Sequence, residues 1–422
     1  MVEVWLPYGE TEVCARIPAR SFLGTIEPRE KPGASNPRAE VERALREPLG
    51  TGPLREMAGP GKKVAVVVDD ATSPAPTSLM VPPILDELGL AGVKDGDITV
   101  VFACGMGRPV GPAEMGEVLG EGVLGRVRAV SHDAGSGDLV DLGETSFGTR
   151  VYVNRMLAEA DLRVLTGVVG LHPCAGYGGG RESVLPGVSG LRTIQRNGRM
   201  CLDPEARPGV LEGNRVHGEM VEALGLARVG FALNVVLNSR REVAEAFAGD
   251  PNRVFQEGVR LVDEVCKVPV GRRADIAVVS PGGNPLDLDL YRASVGVDHA
   301  LNAVKRRGVV VLVAECPGGY GPEAFRDWAA RYKDLGDMEK ELRRRFAPEG
   351  LMAHRLRAAS ERTTIILVSA LPDYYAVNTF NLRTARAVND ALRDAFEAAG
   401  RNAEVWAMPR GNVTLPILEA SK

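Results

Sequence analysis

The sequence predicts an α/β protein made of two α/β domains with mostly parallel sheets. Three observations carry this. The chain has 422 residues, more than one core ordinarily serves, so two domains are the natural division. Runs such as "VAVVV" at 64–68 are apolar without alternation, as strands buried on both faces of a parallel sheet must be. Such runs lead into glycine- or proline-rich loops and then into helical stretches, the strand–loop–helix repeat of a parallel sheet.

Taken in order, residues 1–25 alternate polar and apolar positions and predict a short β meander. "EKPGASNPRAEVERALREPLGTGPL" has a Pro/Gly start and a helical period through Val41, Leu45 and Leu49. The strand at 64–68 ends in Asp69 and Asp70, and "SLMVPPILDELGLAG" supplies the next helix. Residues 98–103 repeat the strand, followed by a glycine loop and a helix begun at Pro112 and Glu114. "VRAVSHDAG" is a third short strand, and "TSFGTRVYVNRMLAEADLRVLTGVVGLHP" gives a strand or hairpin, a helical turn and a buried strand at 162–169. Residues 268–273 look like a connector. A βαβ unit follows, with strands at 275–280 and 309–314, the glycines Gly282 and Gly283, and a helix over 290–303. "RTTIILVSALP" is a further strand, "RTARAVNDALRDAFEAAG" an amphipathic helix with a glycine stop, and "AEVWAMPRGNVTLPIL" closes the chain. The expected domains are therefore residues 1–268 and 269–422.

Composition narrows the partners. The 51 basic and 55 acidic residues give a net charge of −4, and aromatics are only 5%, so neither a nucleic-acid surface nor a base-stacking platform is expected. No apolar run approaches the roughly 20 residues of a membrane span, and the start of the chain is not signal-like. The six cysteines are scattered without a CxxC pair, so they read as reduced thiols and not as a zinc ribbon. These features predict a cytoplasmic protein with a small-molecule partner, and leave association into a homo-oligomer open.

Polar residues fall at the carboxyl ends of the expected strands: Asp69, Asp70, Cys104, His132, Asp133 and His172. That is where open α/β sheets bind ligands. "HPCAGYGGGRESVLPG", running from His172 to Gly187, has the composition of an active-site loop. His172 fits a general acid/base or metal ligand, or a loop histidine bonded to backbone. Gly178, Gly179 and Gly180 with Arg181 fit a phosphate cradle, or a tight turn. Glu182 fits a partner for Arg181 or a helix-dipole residue. Asp70 fits a ligand contact, or a turn cap. His132 and Asp133 fit a metal or proton-relay pair, or a loop-organising pair, and Cys104 and Cys174 fit nickel, zinc or nucleophile roles, or buried thiols.

Several stretches together resemble the nickel-dependent lactate racemase family: "ALREPLGTGPL", "VVVDDATSPAP", "FACGMGRP", "SHDAGSGDLVDLGETSFGTRVYVNRMLAEADL", "HPCAGYGGGRESVLPG", "GVLEGNRVH" and "GGNPLDLDLYRA". The resemblance implies two α/β domains with a ligand cleft. It also implies a nickel pincer nucleotide that takes hydride from C2 of a 2-hydroxy acid, two opposed histidine bases, a tethering lysine, a nickel-binding histidine and cations for the substrate carboxylate. This sequence departs from that set. Ser73 stands at the arginine position beside Thr72, and Gly107 at the first base, in the loop that continues to Arg108. His172 keeps the second base. Glu182 stands at the tether, Gly198 at the nickel histidine after Asn197, and Arg292 and Val295 at the glutamine and lysine that follow Tyr291. Gly107 cannot move a proton, Glu182 carries no amine and Gly198 carries no imidazole.

The expected site is accordingly His172, Asp70 and Glu182 as catalytic groups, Thr72, Gly178, Gly179, Gly180 and Arg181 around a cofactor, and Arg108, Tyr291 and Arg292 around the substrate. No metal ligand is expected, and the cofactor stays unassigned because the nickel pincer nucleotide lacks its lysine and its histidine. The ligand expected is an anionic hydroxy acid, sugar-derived or not, or a nucleotide-like molecule. The activity expected is that of a racemase or epimerase with altered or lost nickel chemistry; the alternative is a non-catalytic binding or assembly protein on the same scaffold.

Overall fold

In the computed structural model, which describes residues 1–419, Val2–Tyr8 (β1) and Thr11–Ile17 (β2) form an antiparallel hairpin. Phe22–Thr25 (β3) does not extend it into a meander. It pairs in parallel with a strand from the far end of the chain, residues Val405–Met408.

A second sheet begins at Val64–Asp69 (β4) and gathers Ile98–Ala103 (β5) and Arg128–Ser131 (β6). Leu139–Glu144 (β7) and Arg150–Asn154 (β8) form a separate hairpin. Leu162–Val169 (β9) returns to the sheet and runs into a small hairpin, Leu171–His172 (β10) with Gly176–Tyr177 (β11). Phe231–Leu237 (β12) and Val243–Gly249 (β13) complete the order β13-β12-β9-β4-β5-β6, in which only β13 is antiparallel. β4 is buried from Val64 to Val68, which explains its unbroken valines. One face carries the helices Pro37–Arg46 and Thr77–Leu90, whose Val41, Leu45, Met80 and Ile84 join Val66, Val68, Phe102 and Val164 in one core. The first helix is capped by Asn36, whose side chain accepts from Ala39 N. It stops at Arg46, one turn before the expected Leu49, which instead bridges to Gly249.

The chain moves from β4 to β5 and β6 on one side, then from β9 to β12 and β13 on the other. The gap between β4 and β9 is thus a topological switch point. Their carboxyl ends, Asp69 and Val169, open where ligands of such sheets bind.

The remaining strands are Lys267–Val270 (β14), Ala274–Val279 (β15), Val304–Val313 (β16), Thr364–Val368 (β17), Arg383–Thr384 (β18), Val405–Met408 (β19) and Leu415–Leu418 (β20). β14 pairs with β20, and the others form the parallel sheet β18-β17-β16-β15-β19-β3. Val4, Leu6, Ala15 and Ile17 of the first hairpin pack with Ile276, Val278 and Val311 of this sheet.

The chain therefore divides as Glu30–Asp263, and Met1–Arg29 with everything from Glu264 onward. Grouping residues 1–268 together misses this. Before Glu30, β3 pairs with β19 and the β1–β2 hairpin packs on the sheet of β15 and β16, and contacts at that range leave no local trace. Among the described residues no helix is long and apolar enough to cross a membrane.

Candidate active site

β9 ends at Val169, and the chain turns back on itself through β10 and β11. Gly178 N donates to Gly170 O at 2.8 Å, closing this loop onto the strand it left. Gly179 (φ +94°) and Gly180 (φ +52°) then lie in the left-handed region, and a Cβ on Gly179 would sit 2.9 Å from Val168 O. The short 3₁₀ turn Gly180–Ser183 follows. Ser183 Oγ donates to Thr166 O at 3.0 Å, and Thr166 Oγ1 donates to Val67 O at 3.1 Å. The turn is thus pinned across the switch point, on β9 and β4 together.

This brings His172 and Glu182 to one place. His172 Nδ1 accepts from Cys174 N at 3.1 Å and Ala175 N at 2.9 Å. A proton at Nδ1 would face two donors, so the neutral ring carries its proton on Nε2. Nε2 lies 3.5 Å from Glu182 Oε1, just beyond ordinary hydrogen-bond length. Glu182 Oε2 accepts from Gly179 N at 3.0 Å, which fixes the carboxylate over the turn. Of the readings open for Glu182, this is a turn cap that also faces the histidine, and not a bond to Arg181.

On the β4 side, Asp69 Oδ2 accepts from Ser73 Oγ at 2.7 Å. Burial, with Glu182 and Asp70 nearby, pushes the Asp69 carboxyl up to about 7 against the pull of the Ser73 bond. Asp70 Oδ1 accepts from Thr72 N at 2.8 Å and Thr72 Oγ1 at 2.7 Å, which is the turn-capping role. Its Oδ2 faces the β5 loop, 3.8 Å from where a side chain on Gly107 would begin. Asp69 is the perturbed carboxyl, and its place at the end of an otherwise apolar run was the available signal.

The phosphate cradle expected of Gly178, Gly179, Gly180 and Arg181 is not formed. Each glycine N–H has a protein acceptor: Gly170 O, Glu182 Oε2 and, with its amide oriented to fit, the side-chain oxygen of buried Asn234 at 3.2 Å. Asn234 was missed, although one asparagine inside "FALNVVL" is the mark of a polar anchor in a buried strand. Arg181 is 2% exposed and folded back under the loop rather than presented to a ligand. Its Nη2 donates to Ala175 O and Tyr177 O, and its guanidinium lies 3.8 Å from the centre of the Phe255 ring. Thr72 is held by Asp70 rather than left facing a cofactor. Arg108 is an exposed residue in a two-pronged ion pair with Glu114, so it is not a free carboxylate receptor. His132 is buried, with Nε2 at 2.8 Å from Ser189 O and Nδ1 at 3.3 Å from Asn154 Nδ2. Cys104 and Cys174 are buried. In the other unit, Arg292 donates to Asp289 at 2.9 Å, and Tyr291 packs edge-on against Phe325.

Comparison with known proteins places this arrangement. Residues 8–209 match the lactate racemase N-terminal domain and residues 270–415 the lactate racemase C-terminal domain. The chain belongs to the lactate racemase family. It is 30% identical to the lactate racemase of Thermoanaerobacterium thermosaccharolyticum, over 97% of this chain and 98% of that protein. It is 29% identical to the lactate racemase of Lactiplantibacillus plantarum, over 97% and 99%. The solved lactate racemase apoprotein from T. thermosaccharolyticum superposes with a TM-score of 0.90, at 29% identity over 99% of this chain and 100% of that one. A Thermotoga maritima protein shares the fold, with a TM-score of 0.67 and 18% identity over 90% and 98% of the two chains.

The residues of this chain do not fit the nickel pincer nucleotide that the family resemblance implies. The tether position is a carboxylate already bonded to Gly179 N. The nickel position is Gly198, at the end of the helix Leu191–Gly198. The adjacent Asn197 is turned inward, donating to Glu219 Oε2 at 2.9 Å and Val216 O at 3.3 Å. Among the described residues no three of His, Cys, Asp and Glu are grouped to hold a metal ion.

Proposed function

We propose that this member of the lactate racemase family binds a small 2-hydroxy compound at the carboxyl ends of β4 and β9 and works on it by acid–base chemistry with its own side chains, as an isomerase of the racemase or epimerase type. The observation that carries the reading is the pairing of His172 Nε2 with Glu182 Oε1 at 3.5 Å, on a turn fixed to both strands of the switch point. A catalytic pair of this kind is commonly long before substrate binds. Asp70 Oδ2 is the acceptor for a substrate hydroxyl, and Asp69 stands behind it as a carboxyl able to hold a proton near neutral pH.

The test has two parts. Protein produced together with nickel-pincer synthesis enzymes is expected to keep its unmodified mass and to hold far less than one nickel per chain; a tethered adduct sinks the reading. The same protein, offered a panel of 2-hydroxy compounds in deuterated water, is expected to exchange or invert C2 of at least one, and His172→Ala is expected to abolish this with the fold intact. A second reading, a binding protein without catalysis, is favoured by one observation: one oxygen of Glu182 is already committed to the turn, at Gly179 N. Ligand bound without exchange at C2 would establish that reading.

A further inference from the structure

The His172–Glu182 pair also points to what kind of 2-hydroxy compound is turned over. Protons can be taken from carbon by a carboxylate when a neutral imidazole N–H polarises the neighbouring carbonyl. That arrangement needs a histidine whose second nitrogen accepts from backbone, and a carboxylate on the same side. His172 Nδ1 accepts from two backbone N–H groups, and Glu182 Oε1 lies 3.5 Å from Nε2.

Resting on the reading above, we infer that the substrate is a neutral 2-hydroxy aldehyde or ketone, a sugar, and that Glu182 and the neutral His172 ring interconvert its isomers through an enediol. Glu182 takes the proton from C2. The C–H electron pair becomes the C1–C2 double bond, and the carbonyl π pair moves to the C1 oxygen, which takes the proton of His172 Nε2. Nε2 recovers a proton from the C2 hydroxyl. The proton on Glu182 then returns to C1, giving the ketose. If His172 instead recovers its own proton from the C1 oxygen, and the enediol turns over in the site before Glu182 returns its proton, the opposite face of C2 is protonated and the epimer results. Both groups end as they began, and no oxidant or reductant is consumed.

The charges around the pair select against a 2-hydroxy acid. Enolising a carboxylate places a second negative charge on it, which must be met by cations. Here the groups that press on buried Asp69 are the carboxyls of Glu182 and Asp70, and the cation that acts on Glu182 is the buried Arg181. Arg181 lies against Phe255 with its Nη2 on carbonyl oxygens, and Arg108 is forked onto Glu114. Ser73 is spent on Asp69. An uncharged, hydroxyl-rich molecule meets these carboxylates as hydrogen-bond donor to acceptor, whereas an acid meets them as like charge.

The experiment uses matched pairs that differ only in the oxidation state of C1: glyceraldehyde with glycerate, erythrose with erythronate, ribose with ribonate, glucose with gluconate. The full chain is incubated with each in deuterated water, and loss of the C2 proton signal is followed by NMR against a protein-free control. Exchange is expected with at least one aldehyde and with no acid. Glu182→Gln keeps the acceptor for Gly179 N, and is expected to slow exchange by about 10²–10⁴-fold. His172→Gln, which keeps an N–H donor, should retain more activity than His172→Ala, with circular dichroism confirming the fold of all three. Exchange with an acid, alone or beside its aldehyde, overturns the substrate class and leaves the acid–base reading standing. Exchange with neither overturns both.

Discussion

Arg181 illustrates what a single residue can hold together. It is a buried cation whose Nε and Nη1 lack hydrogen-bond partners, and burial drags it down to about 9. Its stack on Phe255 and its bonds to Ala175 O and Tyr177 O tie the loop from His172 to Gly187 to the helix Pro251–Cys266. Arg181→Lys removes the planar stack but keeps the charge, and is expected to lose about 2–4 kcal/mol of stability. Arg181→Met removes charge and desolvation cost together, and should lose less, about 1–2 kcal/mol. Urea unfolding gives the order of the two, and the reverse order would place the value of Arg181 in its charge alone. The same neighbourhood predicts a pH signature. Asp69 is raised to about 7, so its contribution is complete below its unfolded value and is lost as pH climbs toward 7. His217, buried near Arg181, is lowered to about 4; its contribution is complete above its unfolded value and is lost as pH falls toward 4. Between those limits the two slopes oppose each other. Asp69→Asn should therefore make stability rise more steeply with pH between 4.5 and 6.5 than in the parent, by up to about 1.4 kcal/mol per pH unit. Denaturant melts across that range test it, and an unchanged slope refutes the raised carboxyl.

At the scale of elements, the loops decide what the strands can present. The β5 loop closes tightly, with Gly107 N donating to Cys104 O at 2.7 Å and a Cβ on Gly107 falling 2.9 Å from that oxygen. Gly107→His, which restores the family's residue type, must open this turn. It is expected to cost about 1–2 kcal/mol and to yield no lactate racemisation, read by thermal denaturation and chiral analysis. Asn214 works in the opposite sense. Its Oδ1 caps the helix Arg215–Leu226 at His217 N, while its Nδ2 donates to Cys174 O at 2.7 Å and Val210 O at 3.0 Å. Asn214→Ala removes a cap and two hydrogen bonds to backbone carbonyls, so a loss of about 2 kcal/mol is expected, with greater amide exchange at residues 172–177. These cases show where sequence reading reaches. β4, β5, β9 and β16 were legible because an unbroken apolar run is a local fact. β12 and β13 were not, since "FALNVVL" takes its place through β9, a partner 67 residues earlier (Phe231 to Val164), and "VAEAFAG" is held in the sheet by β12. The loop that carries His172 and Glu182 was legible by composition, whereas their approach to 3.5 Å depends on the turn and was not. The glycine N–H groups were misread because their acceptors, Gly170 O and Asn234, meet them only in the fold.

For the whole molecule, the decisive feature is the exchange of the N-terminal segment. Residues Met1–Arg29 belong with the part that starts at Glu264, on the far side of the Glu30–Asp263 unit in sequence. β3 covers the edge of β19, and Ile26 N donates to Ala407 O at 2.8 Å. Val4, Leu6, Ala15 and Ile17 are 8% exposed or less, and they close one face of the β15–β16–β17 layer. Val4, Leu6 and Ile17 contribute roughly 1.5–3 kcal/mol each, so together they amount to much of a domain's net stability. The β4–β9 sheet, which carries the candidate site, draws none of its strands from this segment. A chain beginning at Glu30 should therefore lose its fold unevenly. Hydrogen exchange read by mass spectrometry should show β15, β16 and β19 unprotected, while β4, β9 and the loop from His172 to Gly187 keep the protection of the full chain. Uniform loss across both sheets would mean that the two units unfold as one, and would move the stability of the site from its own sheet to the whole chain.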